Sequence, residues 1–214
     1  MKHATTPAER PRGRPLATEQ KDLKIQILSA AENLFTRHGY AGTSIRNIAD
    51  AAGVNPALVH YYFNSKHNLL ATVLKRSLEP IIDALAGLKN NEKASVEDIT
   101  GLLISMMAKN PNIPRLLTRE VLLPGGEMQD YFIENLAPQL GGTLPSILER
   151  QKKAGILRDD LDPAYAALMI LATCFFPFIA RSLAEPVLGI NFGAGGADTL
   201  IQNVSELLKR GLTS

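Results

Sequence analysis

The chain of 214 residues is 45% hydrophobic and 21% charged, which is enough apolar content to bury the core of one or two small domains. Its formal net charge of +2 conceals a split: residues 1–76 carry eleven Lys and Arg against five Asp and Glu, and residues 77–214 carry twelve against sixteen. The second part is mildly acidic, which indicates that only the basic first part meets a polyanion.

Residues 1–17 have no apolar periodicity and are expected to form a disordered basic arm. Within it, the sequence Pro-Arg-Gly-Arg-Pro at 11–15 resembles the core of an AT-hook. In such a segment Arg12 and Arg14 would lie along a narrow A·T minor groove, where the negative potential is strongest. A solubilising tail that touches phosphates nonspecifically is the alternative interpretation.

Residues 43–66 predict two short helices around a tight turn, the arrangement of a helix-turn-helix. Thr43 or Ser44 can cap the first helix, Gly53 ends it, and Asn55 with Pro56 can cap and start the second. The first helix buries one face, made by apolar residues at positions i, i+3, i+4 and i+7: Ile45, Ile48, Ala49 and Ala52.

The second helix is expected to present one strip of side chains to the major groove. At 100° per residue, an inward Val59 places Phe63 inward as well. The residues pointing the opposite way are Ala57, His60 and Tyr61, flanked by Pro56, Leu58 and Tyr62. Arg46 can reach the same groove from the preceding helix, and Lys66 opens a third helix whose positive N-terminus suits a phosphate.

The pair Gly53-Val54, followed by a short helix that ends Tyr-Tyr-Phe-x-Ser-Lys, resembles the DNA-binding domain of the tetracycline-repressor (TetR) family of bacterial one-component regulators. The resemblance covers residues 19 to about 75 and includes His38-Gly39-Tyr40 at the end of the first helix. The family's commonest ending is Tyr-Tyr-His-Phe, whereas the histidine here comes first, at His60. The resemblance implies DNA contacts from Thr43, Ser44, Arg46, Asn55, Pro56, Ala57, His60, Tyr61, Tyr62 and Lys66.

The remaining chain predicts further helices and no convincing strands, so the fold class is all-α. An apolar stripe from Leu69 to Leu78 indicates a long helix that Pro80 should kink or restart. Ser95 and Asp98 form a capping box, and Asp162 can cap a helix that Pro163 begins. The predicted segments are a helix opening at 95, a helix at 115–123, a loop at 124–126, a helical stretch at 127–153 interrupted around 138–145, a helix from 163 to 183, an irregular segment at 191–196 and a last helix at 198–210.

The longest uncharged run, residues 164–180, could be mistaken for a membrane span. Its seventeen residues are short for a bilayer of about 30 Å, and Pro177 interrupts them. A helix that is apolar nearly all round is also what buried packing requires. We therefore expect a core and dimer-interface helix and no membrane contact.

Residues 154–163 are again similar to the TetR family, where this segment joins two helices of the regulatory domain. The resemblance implies a helix-turn-helix domain at 18–66 and an effector-binding and dimerisation domain at 67–214, which pairs with a second subunit through a four-helix bundle. It also implies an effector cavity near Pro80. Flexible and aromatic side chains suit a small, largely apolar effector, and the candidates are Met106, Met107, Met128, Phe132, Phe175 and Phe176.

The expected function is therefore that of a DNA-binding regulator, most simply a homodimeric repressor released from a near-palindromic operator by its effector. An architectural protein that binds A·T-rich DNA without an operator is the alternative. No nucleophile motif, phosphate loop or zinc signature is present, so we expect no enzyme, cofactor or metal site. The single Cys174 cannot form an intramolecular disulfide and residues 1–17 lack the apolar stretch of a secretory signal, which favours the cytoplasm, and the nucleoid when DNA is bound.

Overall fold

Helices account for nearly all of the secondary structure in the computed structural model, which describes residues 17–192 and 195–213. Within those residues the only β-type pairing is an isolated bridge between Leu157 and Thr213. The all-α prediction is confirmed. Arg12 and Arg14 lie outside the described residues.

The first three helices and the start of the fourth form the smaller domain. They are α1 (Ala17–His38), α2 (Ile45–Ala51), α3 (Pro56–Phe63) and α4 (Lys66–Asn90). Each contributes fully buried apolar side chains to one core: Ile27, Ala31, Phe35, Ile48, Ala49, Val59, Phe63, Leu69 and Leu70. Helix α3 is attached to this core through two buried side chains, Val59 and Phe63. Their packing sets the angle between α2 and α3.

Local capping explains where α2 and α3 begin. Ser44, and not Thr43, caps α2: its Oγ accepts the Asn47 N–H at 3.1 Å, and the Asn47 side chain accepts the Ser44 N–H at 3.0 Å. Asn55 caps α3 by accepting the Ala57 N–H at 2.9 Å. Gly53, with φ of +63°, makes the turn between the two helices.

The larger domain packs around α5, α9, α10 and α12. Its elements are α5 (Val96–Lys109), α6 (Asn112–Leu117), a π-helical turn (Thr118–Leu122), α7 (Gln129–Tyr131), a second π-helical turn (Phe132–Leu136), α8 (Ala137–Gly141), α9 (Thr143–Lys153), α10 (Pro163–Ile179), α11 (Arg181–Leu188) and α12 (Gly196–Leu212). Helix α5 lies between α12 and α10, and α9 packs against both α10 and α4.

The sequence left open whether Pro80 kinks or restarts its helix, and several predicted boundaries differ from the observed ones. Pro80 does not restart the helix: α4 runs unbroken to Asn90, because Pro80 is exposed and the carbonyl that loses its helical donor can turn to water. The predicted helix at 115–123 begins earlier, at Asn112, and ends in a π-helical turn. The helix predicted to reach Leu183 instead breaks at Ala180, three residues after Pro177.

Helices α10 and α11 meet at an angle of 76°. Among the described residues no single helix is long and apolar enough to cross a membrane, although this bent pair passes the same test by length and composition.

Candidate nucleic-acid interface

The outer surface of α3 carries the strip that the sequence predicted. Val59 and Phe63 are buried, whereas Ala57, His60 and Tyr61 are exposed, and Tyr61 exposes 67% of its surface. Tyr62 is half-buried, and its ring meets that of Tyr61 edge to face at 5.2 Å between centroids. The Tyr61 ring is thus exposed to solvent and packs against Tyr62 on one side. Exposed aromatic side chains of this kind are typical of surfaces that contact another molecule.

The exposed imidazole of His60 has a defined donor pattern. Its Nδ1 lies 3.2 Å from the carbonyl oxygen of Asn64. Because a carbonyl oxygen only accepts hydrogen bonds, Nδ1 carries the proton in this contact. In the neutral ring Nε2 is then an acceptor available to an outside partner.

The start of α2 adds polar groups to the same surface. Ser44, Arg46 and Asn47 are all exposed there. Asn47 was missed by the sequence reasoning, although a Ser followed three residues later by a polar side chain is the signature of a capping box. Asn55 and Pro56, at the start of α3, are exposed as well.

Thr43 does not belong to this surface. It is only 2% exposed, and its hydroxyl donates to the Gly39 carbonyl oxygen at 2.7 Å. The structure therefore gives the Thr43 side chain an internal role, closing the connection between α1 and α2, in place of the predicted DNA contact.

Lys66 is also occupied inside the domain. Its Nζ donates to the carbonyl oxygens of Tyr40 at 2.9 Å and Thr43 at 3.0 Å, and lies 3.9 Å from the centroid of the Tyr40 ring. The ammonium is thus bound to the α1–α2 connection. The sequence had instead predicted an ammonium available to a phosphate. A phosphate contact from Lys66 would have to share it with these carbonyls.

Helix α1 supplies a cation that the sequence reasoning did not select. Lys24 is exposed and its Nζ lies 5.8 Å from the centroid of the Phe63 ring, which places the charge beside the end of α3. No short-range pattern could have revealed this, because the two residues are far apart in sequence and meet only in the folded domain.

The six predicted effector-contacting side chains differ in burial, and five of them belong to or pack against the core. Met107 and Met128 are buried, Met106, Phe132 and Phe175 are half-buried, and Phe176 is 65% exposed. Phe176 points outward because Cys174, two residues earlier on α10, points into the core, and two residues correspond to about 200° around a helix. Phe176 is therefore not part of an interior cavity in this chain.

A cleft of about 280 Å³ opens elsewhere, where the start of α5 meets the ends of α9 and α12, and none of those six residues lines it. Lys209 and Glu97 form an ion pair at its edge, with Nζ and Oε1 2.8 Å apart. The hydrogen bond from Lys209 lowers the pKa of Glu97, and the same bond raises the pKa of Lys209. The pair ties α12 to α5.

The outer face of α10 is apolar and exposed. Its exposed side chains stand at i, i+3, i+4, i+11 and i+14, which is one face of a helix: Tyr165, Leu168, Met169, Phe176 and Ile179. On α11 Leu183 and Val187 are exposed too, and on α12 Leu207. An exposed stripe of this length along one helix is typical of a protein–protein interface.

Comparison with known proteins assigns both domains to one kind of protein. Residues 27–73 match the model described as bacterial regulatory proteins of the tetR family, and residues 93–200 match that of the tetracycline-repressor-like C-terminal domain. The chain is 26% identical over 191 residues to the HTH-type transcriptional repressor NicS of Pseudomonas putida, a match that covers 87% of this chain and 90% of that protein.

Two solved structures illustrate the likeness of fold. The fatty acid degradation regulator FadR from Bacillus halodurans gives a TM-score of 0.71 at 23% identity, covering 88% of this chain and 95% of that one. The transcriptional regulator FadR from Bacillus subtilis, in complex with stearoyl-CoA, gives 0.69 at 22% identity, covering 87% and 98%. Each of these relatives is named as a regulator.

Proposed function

Since the chain belongs to the TetR family and is a DNA-binding transcriptional regulator, we propose that it is a homodimeric repressor which binds a near-palindromic operator and is released by a small, largely apolar effector. The observation that carries the DNA-reading part is the exposed Tyr61 ring on α3. An aromatic side chain exposed to water loses that exposure, and gains packing contacts, when another molecule covers it.

The proposed reading surface combines the strip on α3 with the start of α2. Ser44, Arg46, Asn55, Pro56, Ala57, His60, Tyr61 and Tyr62 are the predicted contacts that remain on it. Short polar side chains and backbone N–H groups would bind phosphates, whereas His60 and Tyr61 are placed to reach base edges or the adjacent backbone. We add Lys24 as a backbone contact beside the end of α3.

The exposed face of α10 supports a dimer. A twofold axis lets one apolar stripe cover its own copy, so that Phe176 and its neighbours leave water on both subunits at once. Helix α12, whose Leu207 is exposed, would complete a four-helix bundle with α10 and the partner's two helices. Covering this surface removes an apolar patch that a lone chain would leave in solvent.

Two reading heads related by that axis determine the form of the operator. One short helix contacts few base pairs, whereas two heads double the contacts and require half-sites about one helical turn apart, roughly 34 to 36 Å, or a multiple of it. The operator should therefore be near-palindromic. The arm containing Arg12 and Arg14 would add minor-groove contacts beside it.

Release requires an effector that binds better to a dimer whose heads are wrongly spaced for DNA. Candidate contacts are the core side chains Met106, Met107, Met128, Phe132 and Phe175, whose flexible thioethers and rings can repack around an apolar molecule. Helix α4 runs from the reading head into this domain, so a tilt of α4 is one route by which the signal could travel.

Selection of preferred duplexes from random DNA by the purified full chain tests the proposal. We expect a symmetric sequence to be enriched, and to be bound at least about 10³-fold more tightly than bulk DNA. Enrichment of A·T-rich duplexes without symmetry would instead support the architectural alternative. Stearoyl-CoA is the first effector probe, with displacement of the selected duplex as the readout.

A further inference from the structure

The first π-helical turn of the regulatory domain, Thr118–Leu122, contacts the end of α1. We name this contact, made by Arg119 and Glu120, the α1 latch. Arg119 Nη2 donates to the His38 carbonyl oxygen at 2.8 Å, and Nη1 donates to that of Arg37 at 3.4 Å. Glu120 Oε1 accepts the backbone N–H of Tyr40 at 3.0 Å. The last carbonyls of α1 are thus satisfied by a guanidinium some eighty residues away in sequence, and its positive charge suits the negative end of the helix.

The fit at this contact is close. Gly39 has φ of +73°, and a Cβ placed on it would come within 2.2 Å of Arg119 Nε. The backbone angle favours glycine here, and a Cβ would in addition displace the flexible, half-exposed Arg119 side chain. Glu120 is only 4% exposed, and its buried carboxylate has two partners: the backbone N–H of Tyr40 in the other domain and, at 3.8 Å, Nε of Arg119.

On the DNA side a single residue, Tyr40, connects the latch to the helices of the reading head. Glu120 holds the N–H of Tyr40, while Lys66, the first residue of α4, donates to the carbonyl oxygen of the same residue at 2.9 Å. Lys66 also binds the carbonyl of Thr43, which directly precedes the Ser44 cap of α2. A shift of Glu120 would therefore reach the start of both α2 and α4.

On the regulatory side the latch is attached to the core. The Met128 N–H donates to the Glu120 carbonyl oxygen at 2.8 Å, and Met128 is fully buried. A Cβ on Gly126 would lie 2.5 Å from that same carbonyl oxygen, so the loop is packed directly on the turn. π-helical turns are rare and occur frequently at functional sites.

We propose that Arg119 and Glu120 are positioning residues through which the regulatory domain holds the reading head in place. Movement at Met128 is then passed to α2 and α4 through the backbone N–H and carbonyl of Tyr40. This inference rests on the proposed function and names the regulation of that site. It differs from a tilt of α4 because the signal enters at the end of α1. The phenol of Tyr40 supports the same link: its pKa is raised by burial and then by the nearby carboxylate of Glu127, a residue of the regulatory domain.

Coupling between two sites is reciprocal, which allows a test without a known effector. Operator DNA bound at the heads must alter the latch if the latch communicates with them. The probe is the selected operator duplex, and the readout is hydrogen exchange of the Met128 amide in the full-length protein, measured relative to amides of α5. We expect saturating operator to change the Met128 exchange rate by about 5- to 150-fold beyond any change in α5.

Arg119→Ala is the main variant, because Arg119 is about half exposed and its loss leaves the core intact. We expect it to bind operator more weakly and to reduce the operator effect on Met128 to less than about twofold. Arg115→Ala is the matched control, since Arg115 is exposed on α6 one turn earlier, and it should keep the full effect. Glu120→Gln should also keep it, because an amide oxygen can still accept the Tyr40 N–H, and it covers the case in which a larger change at Glu120 unfolds the protein.

A gel shift on the same samples distinguishes failure of the inference from failure of the proposed function. If the wild-type protein binds its operator and the Met128 amide does not respond, or if the response survives in Arg119→Ala, the latch is a static contact and the inference is overturned. If no duplex is selected or bound, the proposed function fails and the inference fails with it.

Discussion

Truncation of Tyr61 to alanine is the sharpest test of the reading surface. Tyr61 is 67% exposed and its ring meets that of Tyr62 edge to face, so the folded domain loses little when the ring is removed. We expect the free energy of unfolding to change by no more than about 0.5 kcal/mol, as for most surface substitutions.

The effect on DNA should be much larger. A good contact to a base or phosphate contributes about 1 to 3 kcal/mol. The proposed dimer carries two copies of Tyr61 on separate heads, and distant contacts add. Tyr61→Ala should therefore weaken operator binding by about 2 to 6 kcal/mol, which corresponds to roughly 30-fold to 20,000-fold in the dissociation constant.

Fluorescence anisotropy with the selected operator and a scrambled duplex, at one fixed salt concentration, measures this change. Tyr61→Phe is the matched variant: it keeps the ring and removes only the hydroxyl, so it separates stacking from hydrogen bonding. An alanine variant with unchanged melting temperature and operator affinity within twofold of wild type would refute the assignment of α3 as the reading helix.

Three other substitutions or treatments test the remaining parts of the structure. Phe176→Glu places a charge on the exposed face of α10 and should convert the dimer to a monomer in light scattering, whereas the same change at exposed Ile133, away from α10, should not; a dimeric Phe176→Glu protein would argue against this interface. Burial raises the pKa of Cys174 to about 12, so its thiol should resist alkylation at pH 8 until denaturant is added, and rapid labelling of the native protein would contradict its placement in the core. The lowered pKa of Glu97 means that its pairing with Lys209 stabilises the fold above the ordinary carboxyl pKa of 4.5 and is lost as the pH falls through the lower folded value. The raised pKa of Lys209 means that its share is lost only at the alkaline end, above 10.5. The difference in melting temperature between wild type and Glu97→Gln should therefore be present at pH 7 and shrink below about pH 4, and a difference independent of pH would rule out the ion pair.

The helix-turn-helix was predictable because its signals act over a few residues. Capping by Ser44 and Asn55, the turn at Gly53 and the 100° step that sends Tyr61 outward all depend on neighbours within one turn of helix. The capping box at Ser95 and the Asp162 cap were found for the same reason.

Periodicity could not orient α10, because a helix that is apolar all round has no polar face to mark the solvent side. The sequence therefore assigned Phe176 to an effector cavity, and the packing of Cys174 against the core turned it outward instead. The break at Ala180 was likewise hidden within a continuous apolar run.

Thr43 and Lys66 show the limit of position-by-position reasoning. Both stand at family positions expected to meet DNA, yet one hydroxyl and one ammonium are bonded to carbonyls of the α1–α2 connection. The amino-acid sequence by itself determined the helix-turn-helix, the caps at Ser44 and Asn55 and which side of α3 faces outward. The tertiary structure decided which polar groups that surface retains and which regulatory residues reach it, because the contact of Arg119 with His38 spans 81 residues and forms only when the π-helical turn packs on the end of α1.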